Sequence, residues 1–313
     1  MIKRLDKAIK KAHEFLFSRR DNNGLWRDFY IRNYGESVDW ISSYTGLSLL
    51  NSGISISVLK LTANSLFERQ NNRYPGWGFD RPAPPDADST AFAVMFLSHF
   101  QDYREEIDKS KMFLLKHQRE NGSVQTYLPE IVKPYVSYDV SVEGWCSGIP
   151  GVTATFLQAL GENQKAVRYM LTSQTQEGYW KSYWYTNDTY STSHAIFALR
   201  DYEECRKQVL LAQEWVSQRL NFKVPFYLAL SLQALIGNNN HNEVVKQGIE
   251  RLLDMQEQDG SWADYPVLRF PLPSNLEPWR NMSRLREDAR DQNRVFTTAT
   301  CLQALHKYNK IHE

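Results

Sequence analysis

The chain has 313 residues, 42% of them apolar and 13% aromatic, with a formal net charge of +1. A balanced charge without basic clusters gives no reason to expect nucleic acid as a partner, and no run of about 18 apolar residues is present to span a membrane. The three cysteines, Cys146, Cys205 and Cys301, stand far apart and form neither a CxxC pair nor a disulfide framework, so a reduced, cytoplasmic setting is expected.

The N-terminal stretch MIKRLDKAIKKAHEFLFSRR is basic but has no continuous apolar region and no small-residue cleavage site. It reads as an amphipathic helix rather than a signal peptide. Helical periodicity covers 2–19 and returns at 56–70, 106–118, 163–174, 203–220 and 242–257. Each of these polar-faced segments is followed by an apolar one rich in small residues, at 42–51, 89–100, 151–160, 191–202, 225–236 and 296–308. The segments STAFAVMFL, VTATFLQAL and STSHAIFAL are examples.

Five of the junctions resemble one another: RRDNNGLWRDF (19–29), RQNNRYPGWGF (69–79), HQRENGSVQTY (117–127), SQTQEGYWKSY (173–183) and MQEQDGSWADY (255–265). A glutamine near the start can bond backbone groups, a glycine supplies the tight turn, and a tryptophan can cover a helix end. The exception, between 203–220 and 225–236, lacks the glycine turn. The repeat organises the whole chain.

Six pairs of polar-faced and apolar helices predict an all-α fold with outer and inner layers, an (α/α)6 toroid forming one domain over 1–313. An open solenoid of helix pairs is the alternative. Because every junction leads from an outer to an inner helix, the inner helices are parallel, and their N-termini are expected to gather at one mouth. Residues at these helix starts should line it: Trp40, Tyr44, Asp86, Asp88, Trp145, Cys146, Asp188, Tyr190, Phe226, Tyr227, Arg294 and Phe296. A long irregular insert, 264–294, precedes the last inner helix, and such inserts are often lids or binding loops. Its arginines, Arg269, Arg280, Arg284, Arg286, Arg290 and Arg294, are candidates to bind a diphosphate.

The glycine–tryptophan junctions resemble the QW motifs of the terpenoid cyclase and protein prenyltransferase superfamily. GWGF at 76–79 followed by PDADSTA at 85–91 is similar to the acid-motif segment of squalene–hopene-type, class II terpene cyclases. The resemblance gives Asp88 the place of the catalytic aspartic acid and Asp86 that of the first aspartate. Thr90 matches the threonine that follows. Ser89 stands where that family has a third acid, and the chain has helices for one toroid where those cyclases combine two. The zinc pattern of the prenyltransferase branch is missing: Tyr190 replaces its cysteine near Asp188, and Thr297 replaces its histidine.

Cyclising a polyene by protonation needs a strong acid, a dry shaped cavity and a surface that tolerates cations. Two carboxyls in one site cannot both ionise cheaply, so Asp88 is expected to donate the proton with Asp86 polarising it. Helix capping is the alternative use of either acid. His194, one turn into an inner helix, is a candidate to hydrogen-bond an acid. Trp40, Tyr44, Trp77, Phe79, Phe92, Trp145, Trp184, Tyr190, Tyr227 and Phe296 are candidates to line the cavity and stabilise cations, with Ser89 and Arg294 also placed at the substrate. No metal is expected, magnesium entering only with a diphosphate substrate. The expected partner is a small isoprenoid. Peripheral membrane contact, self-association and a second toroid chain stay open. So do two other functions: another biosynthetic enzyme acting on an apolar substrate, and a non-catalytic partner subunit.

Overall fold

The computed structural model describes residues 2–31, 35–238, 241–280 and 289–312. Six outer helices, α1 (Ile2–Ser18), α3 (Ile56–Glu68), α5 (Arg104–Lys116), α8 (Gln164–Ser173), α10 (Arg206–Ser217) and α12 (Asn242–Asp254), alternate with six inner ones. The inner helices are α2 (Asp39–Asn51), α4 (Ala87–Leu97), α7 (Pro150–Leu160), α9 (Thr189–Leu199), α11 (Pro225–Leu235) and α13 (Val295–Lys310). A short helix, α6 (Pro129–Val132), lies in the connection between α5 and α7. The observed spans differ from the periodic segments by a few residues at the ends.

Outer helices bury one stripe, as in α1, where Leu5, Ala8, Ile9, Ala12, Phe15 and Leu16 face inward. Inner helices are buried nearly all round, and every residue of α11 is buried. That difference sorts the two layers. The inner helices pack in the order α2, α4, α7, α9, α11, α13, and α13 returns to α2, so the ring is closed.

The junctions lock the outer layer. The indole N–H of Trp26, Trp77, Trp180 and Trp262 donates to a carbonyl in the last turn of the preceding outer helix, at Leu16, Leu66, Met170 and Leu252 (2.6–2.9 Å). These bonds give carbonyls of the last helical turn, which lack the usual i+4 partner, a side-chain donor. The amide of Gln256 reaches the Ala8 carbonyl of α1 at 2.9 Å, tying the last outer helix to the first. Gly260 has φ +90°, and a Cβ there would lie 2.3 Å from the Lys11 carbonyl oxygen. Only glycine allows that approach.

One feature falls outside the sequence reading, and the insert read there as a candidate lid takes a definite course. Residues Asp28–Ile31 (β1) and Gly35–Ser37 (β2) pair as an antiparallel ribbon. The described part of the insert is also a strap across the N-terminal ends of the inner helices. Val267 O accepts from Thr186 N, and Pro273 O accepts from Trp145 N. Asn275 O accepts from the Tyr183 hydroxyl at 2.7 Å. The mouth expected at that end is therefore covered. A cavity of about 910 Å3 that opens to the outside lies at the C-terminal ends of the inner helices.

Candidate active site

The two acids sit at the start of α4, but they do different things. Asp86 is the N-cap: its Oδ1 accepts from Ser89 N at 2.8 Å and its Oδ2 from the Ser89 hydroxyl at 2.7 Å. Both oxygens are thus occupied by the residue that stands in the third acid's place, and Ser89 acts here as part of a cap. Burial pushes Asp86 up to about 7, with the Asp88 charge adding to the rise and Ser89 opposing it.

Asp88, two residues on, turns inward. Its Oδ1 accepts from the Thr155 hydroxyl of α7 at 2.6 Å. Burial pushes it from 3.8 up to about 6, against the Thr155 hydrogen bond. Asp88 is half-buried. The expected polarising contact from Asp86 is not made. No hydrogen bond joins the two carboxyls, and desolvation rather than a shared proton raises Asp88. Among the described residues no cation pairs with either acid.

Aromatic rings fill the toroid axis around Asp88. Tyr190 and Tyr185 stack with centroids 3.3 Å apart, and both feel the Asp88 charge. Tyr44 packs on Phe92 (5.2 Å) and on Phe296 (4.5 Å), Phe296 on Trp40 (5.0 Å), and Trp40 on Phe79 (6.3 Å). Six of the predicted lining residues, Trp40, Tyr44, Phe79, Phe92, Tyr190 and Phe296, thus belong to one aromatic assembly. Trp145 and Trp184 meet at 6.0 Å under the strap, joined by Tyr127. Trp184 donates to the Thr126 hydroxyl, and Thr126 O accepts from Ala87 N, which places this cluster beside the start of α4.

Other predicted residues serve elsewhere. Trp77 is a junction tryptophan, bonded to the Leu66 carbonyl like its three counterparts. Tyr227 shares a hydrogen bond with the Thr186 hydroxyl (2.8 Å) and donates to Val267 O, anchoring the strap. Arg294 pairs with Asp259 at 2.9 Å and lies over the Phe15 ring of α1, on the outer layer, because α13 begins with Arg294 in the left-handed conformation. Arg269 donates to Ser182 O, Arg280 pairs with Glu277, and Arg290 pairs with Asp264. Arg284 and Arg286 lie outside the described residues.

His194 does not bond either acid. Its Nδ1 takes the Gln158 side-chain amide at 3.2 Å, and burial lowers its pKa to about 3, so the ring is neutral. An acceptor Nδ1 puts the ring proton on Nε2, and that atom is buried with no partner among the described residues. Trp40 Nε1 is buried in the same way. Both are donors that an acceptor in the interior would satisfy.

Thr155, Tyr185 and Tyr127 were missed by sequence reasoning. Thr155 lies in VTATF, where a hydroxyl on an apolar inner helix signals an interior partner without naming it. A second buried carboxyl pair was also missed. Asp28 accepts from Val295 N and Phe296 N, and Asp291 from Thr297 N, together holding the start of α13. Burial raises Asp28 to about 7 and raises Asp291 as well, with the Asp28 charge adding to the latter. All of these oxygens face backbone amides, so this pair is structural. Among the described residues no group of three or more metal-ligating side chains comes together, and no helix is long and apolar enough to cross a membrane.

Solved structures share this architecture. A variant of type II terpene cyclase MstE from Scytonema, in complex with geranylgeranyl dihydroxybenzoate, superposes with a TM-score of 0.90 at 23% identity, covering 99% of this chain and 98% of that one. A protein from Actinoplanes gives 0.88 at 25% identity over 97% and 99% of the two chains. The ent-copalyl diphosphate synthase from Streptomyces platensis gives 0.62 at 18% identity, covering 86% of this chain and 50% of that one. At these identities the likeness is one of fold. No family model and no curated protein matches the sequence.

Proposed function

We propose that the protein is a class II-type terpene cyclase that protonates the terminal alkene of an isoprenoid substrate with Asp88. One observation carries the reading: a carboxyl raised to about 6, with no cation among the described residues to neutralise it, turned toward an interior walled by tyrosine, tryptophan and phenylalanine. A carboxyl raised in this way keeps a proton in the range where ordinary aspartates have lost it. The fold shared with type II terpene cyclases supports the same chemistry.

The steps balance without a cofactor. The Asp88 carboxyl delivers its proton to the alkene and becomes a carboxylate. The resulting carbocation is attacked by the next double bond, closing a ring. The faces of Tyr185, Tyr190, Trp184 and Phe296 stabilise the moving charge through their quadrupoles. Loss of a proton from carbon ends the sequence, so the product is an isomer of the substrate. Thr155 holds the carboxyl in one orientation, and the strap keeps water from capturing the cation.

The test is incubation of the purified chain with a panel of prenylated substrates, including geranylgeranyl dihydroxybenzoate, in D2O. A cyclic product of unchanged skeleton mass, carrying deuterium at the carbon derived from the terminal alkene, is expected. A cyclic product without solvent deuterium would overturn protonation as the first step.

A further inference from the structure

Residues 182–186 bring Tyr183, Trp184 and Tyr185 to the acid end of the toroid in an irregular segment just before α9. Backbone groups outside helices and sheets still need partners, and the strap supplies them. The two segments run antiparallel about a bridge between Tyr185 and Leu268. Thr186 N donates to Val267 O at 2.9 Å, and Arg269 N donates to Trp184 O at 2.6 Å. The side chain of Arg269 then continues the ladder: its Nη1 donates to Ser182 O at 2.7 Å and to Tyr183 O at 3.3 Å. One residue thus bonds three successive carbonyls.

The rings on this segment depend on that backbone for their direction. Tyr185 lies 3.3 Å from Tyr190 and 6.3 Å from Phe226, stacked on both. Trp184 meets Tyr183 edge-on at 5.0 Å and is tied by its indole N–H to Thr126. Arg269 is half-buried, and the Asp188 charge offsets part of the cost of burying its guanidinium. Asp188 also accepts from Ser182 N at 2.8 Å, so the segment is held from both sides. The donors that the sequence reading assigned to a diphosphate are taken here by backbone carbonyls, in the fixed planar arrangement of a guanidinium.

We infer that Arg269 is a positioning residue for the cyclisation: by holding three carbonyls it fixes the faces of Trp184 and Tyr185 and so decides how far the cation advances before it loses a proton. The inference rests on the reading of Asp88 as proton donor. Delivery of the first proton is set by Asp88 and Thr155, on α4 and α7, which Arg269 does not bond. Attraction between a cation and a ring depends on where the face lies, and a displacement of about 1 Å in a positioned group costs up to roughly 100-fold in rate. With the rings displaced, an early cation has two exits. It gives a proton from an adjacent carbon to water, leaving a less cyclised isomer, or it bonds a water oxygen, which releases a proton and leaves an alcohol heavier by one water.

The test is product analysis in D2O with the panel of prenylated substrates that includes geranylgeranyl dihydroxybenzoate. In Arg269→Ala the ratio of less cyclised and hydrated products to the wild-type product should rise about tenfold. Arg269→Lys keeps the charge but not the planar fork, so it should give the same new products in smaller excess, and it carries the test if the alanine protein does not fold. Every product should keep deuterium at the carbon derived from the terminal alkene. Arg290→Gln removes an ion pair with Asp264 (3.3 Å) that fastens the start of the strap, and should lower Tm with the product pattern unchanged. A wild-type pattern from both Arg269 variants would overturn the inference and leave Asp88 in place. The same mixture from Arg290→Gln would also overturn it, because loosening the strap anywhere would then suffice. Absence of a deuterium-labelled cyclic product from the wild type would refute the Asp88 reading and this inference with it.

Discussion

Replacing Asp88 with asparagine should inactivate the protein and, above about pH 6, make it more stable. The carboxyl rises from 3.8 to about 6 on folding because it is desolvated. Each tenfold change in proton affinity is worth about 1.4 kcal/mol, so holding the ionised group in place costs the fold about 3 kcal/mol. The sign follows from the raised value. The penalty is absent below about pH 4, grows as the pH climbs through about 6, and is complete above that. Asparagine removes the charge and keeps an oxygen to accept from Thr155. For 313 residues, 3 kcal/mol corresponds to a gain in Tm of about 5 °C. Thermal unfolding followed by circular dichroism at pH 4 and pH 8 measures it, with the gain expected only at pH 8. Turnover should fall by a factor of roughly 1,000 or more, since the proton donor itself is gone. An active Asp88→Asn protein would remove Asp88 from the chemistry. Equal Tm values at pH 8 would show that its carboxyl is solvated and has no reason to retain a proton.

Three further outcomes can be checked. Thr155→Val removes the hydrogen bond that favours the ionised form of Asp88, so the alkaline limb of kcat/KM should move to higher pH and the maximum rate should fall, with Thr155→Ser restoring both; an unmoved limb would exclude Thr155 as the orienting group. Gly260→Ala should cost roughly 2–3 kcal/mol in urea unfolding, because a Cβ would collide with Lys11 at φ +90°. Gly161→Ala, also at positive φ but with open space around it, should cost less, and equal costs would argue against the contact between the last junction and α1. Asp28, Asp39 and Asp86 are each pushed up to about 7, chiefly by burial. Native stability should therefore be greatest in mild acid and decline as the pH rises from about 4 through 7, read as a falling urea midpoint; a midpoint that rises over that range would contradict the burial of these groups.

The layered ring was legible in the sequence because its cause is local and repeated. Helical periodicity, small residues on alternate helices and the glycine–tryptophan junctions each recur within a short span, and each recurrence has one physical use. Trp77 illustrates both the strength and the limit of that reading. Its position in the repeat already matched Trp26 and Trp262, and the structure gives it their bond to a helix-end carbonyl instead of a place in the cavity.

Asp88 could be singled out from its neighbours in the chain, but its environment could not be. The hydroxyl that orients it comes from Thr155, 67 residues away, and the tyrosines beside it come from another helix start. Which end of the toroid opens was likewise undetermined, because it depends on where the strap at 264–280 lies, and that path is set by backbone bonds to residues 145 and 182–186. Periodicity and capping act between residues a few positions apart, so sequence alone reveals them. Desolvation and the closing of a mouth arise only when segments far apart in the chain are brought together, so those were decided by the tertiary structure.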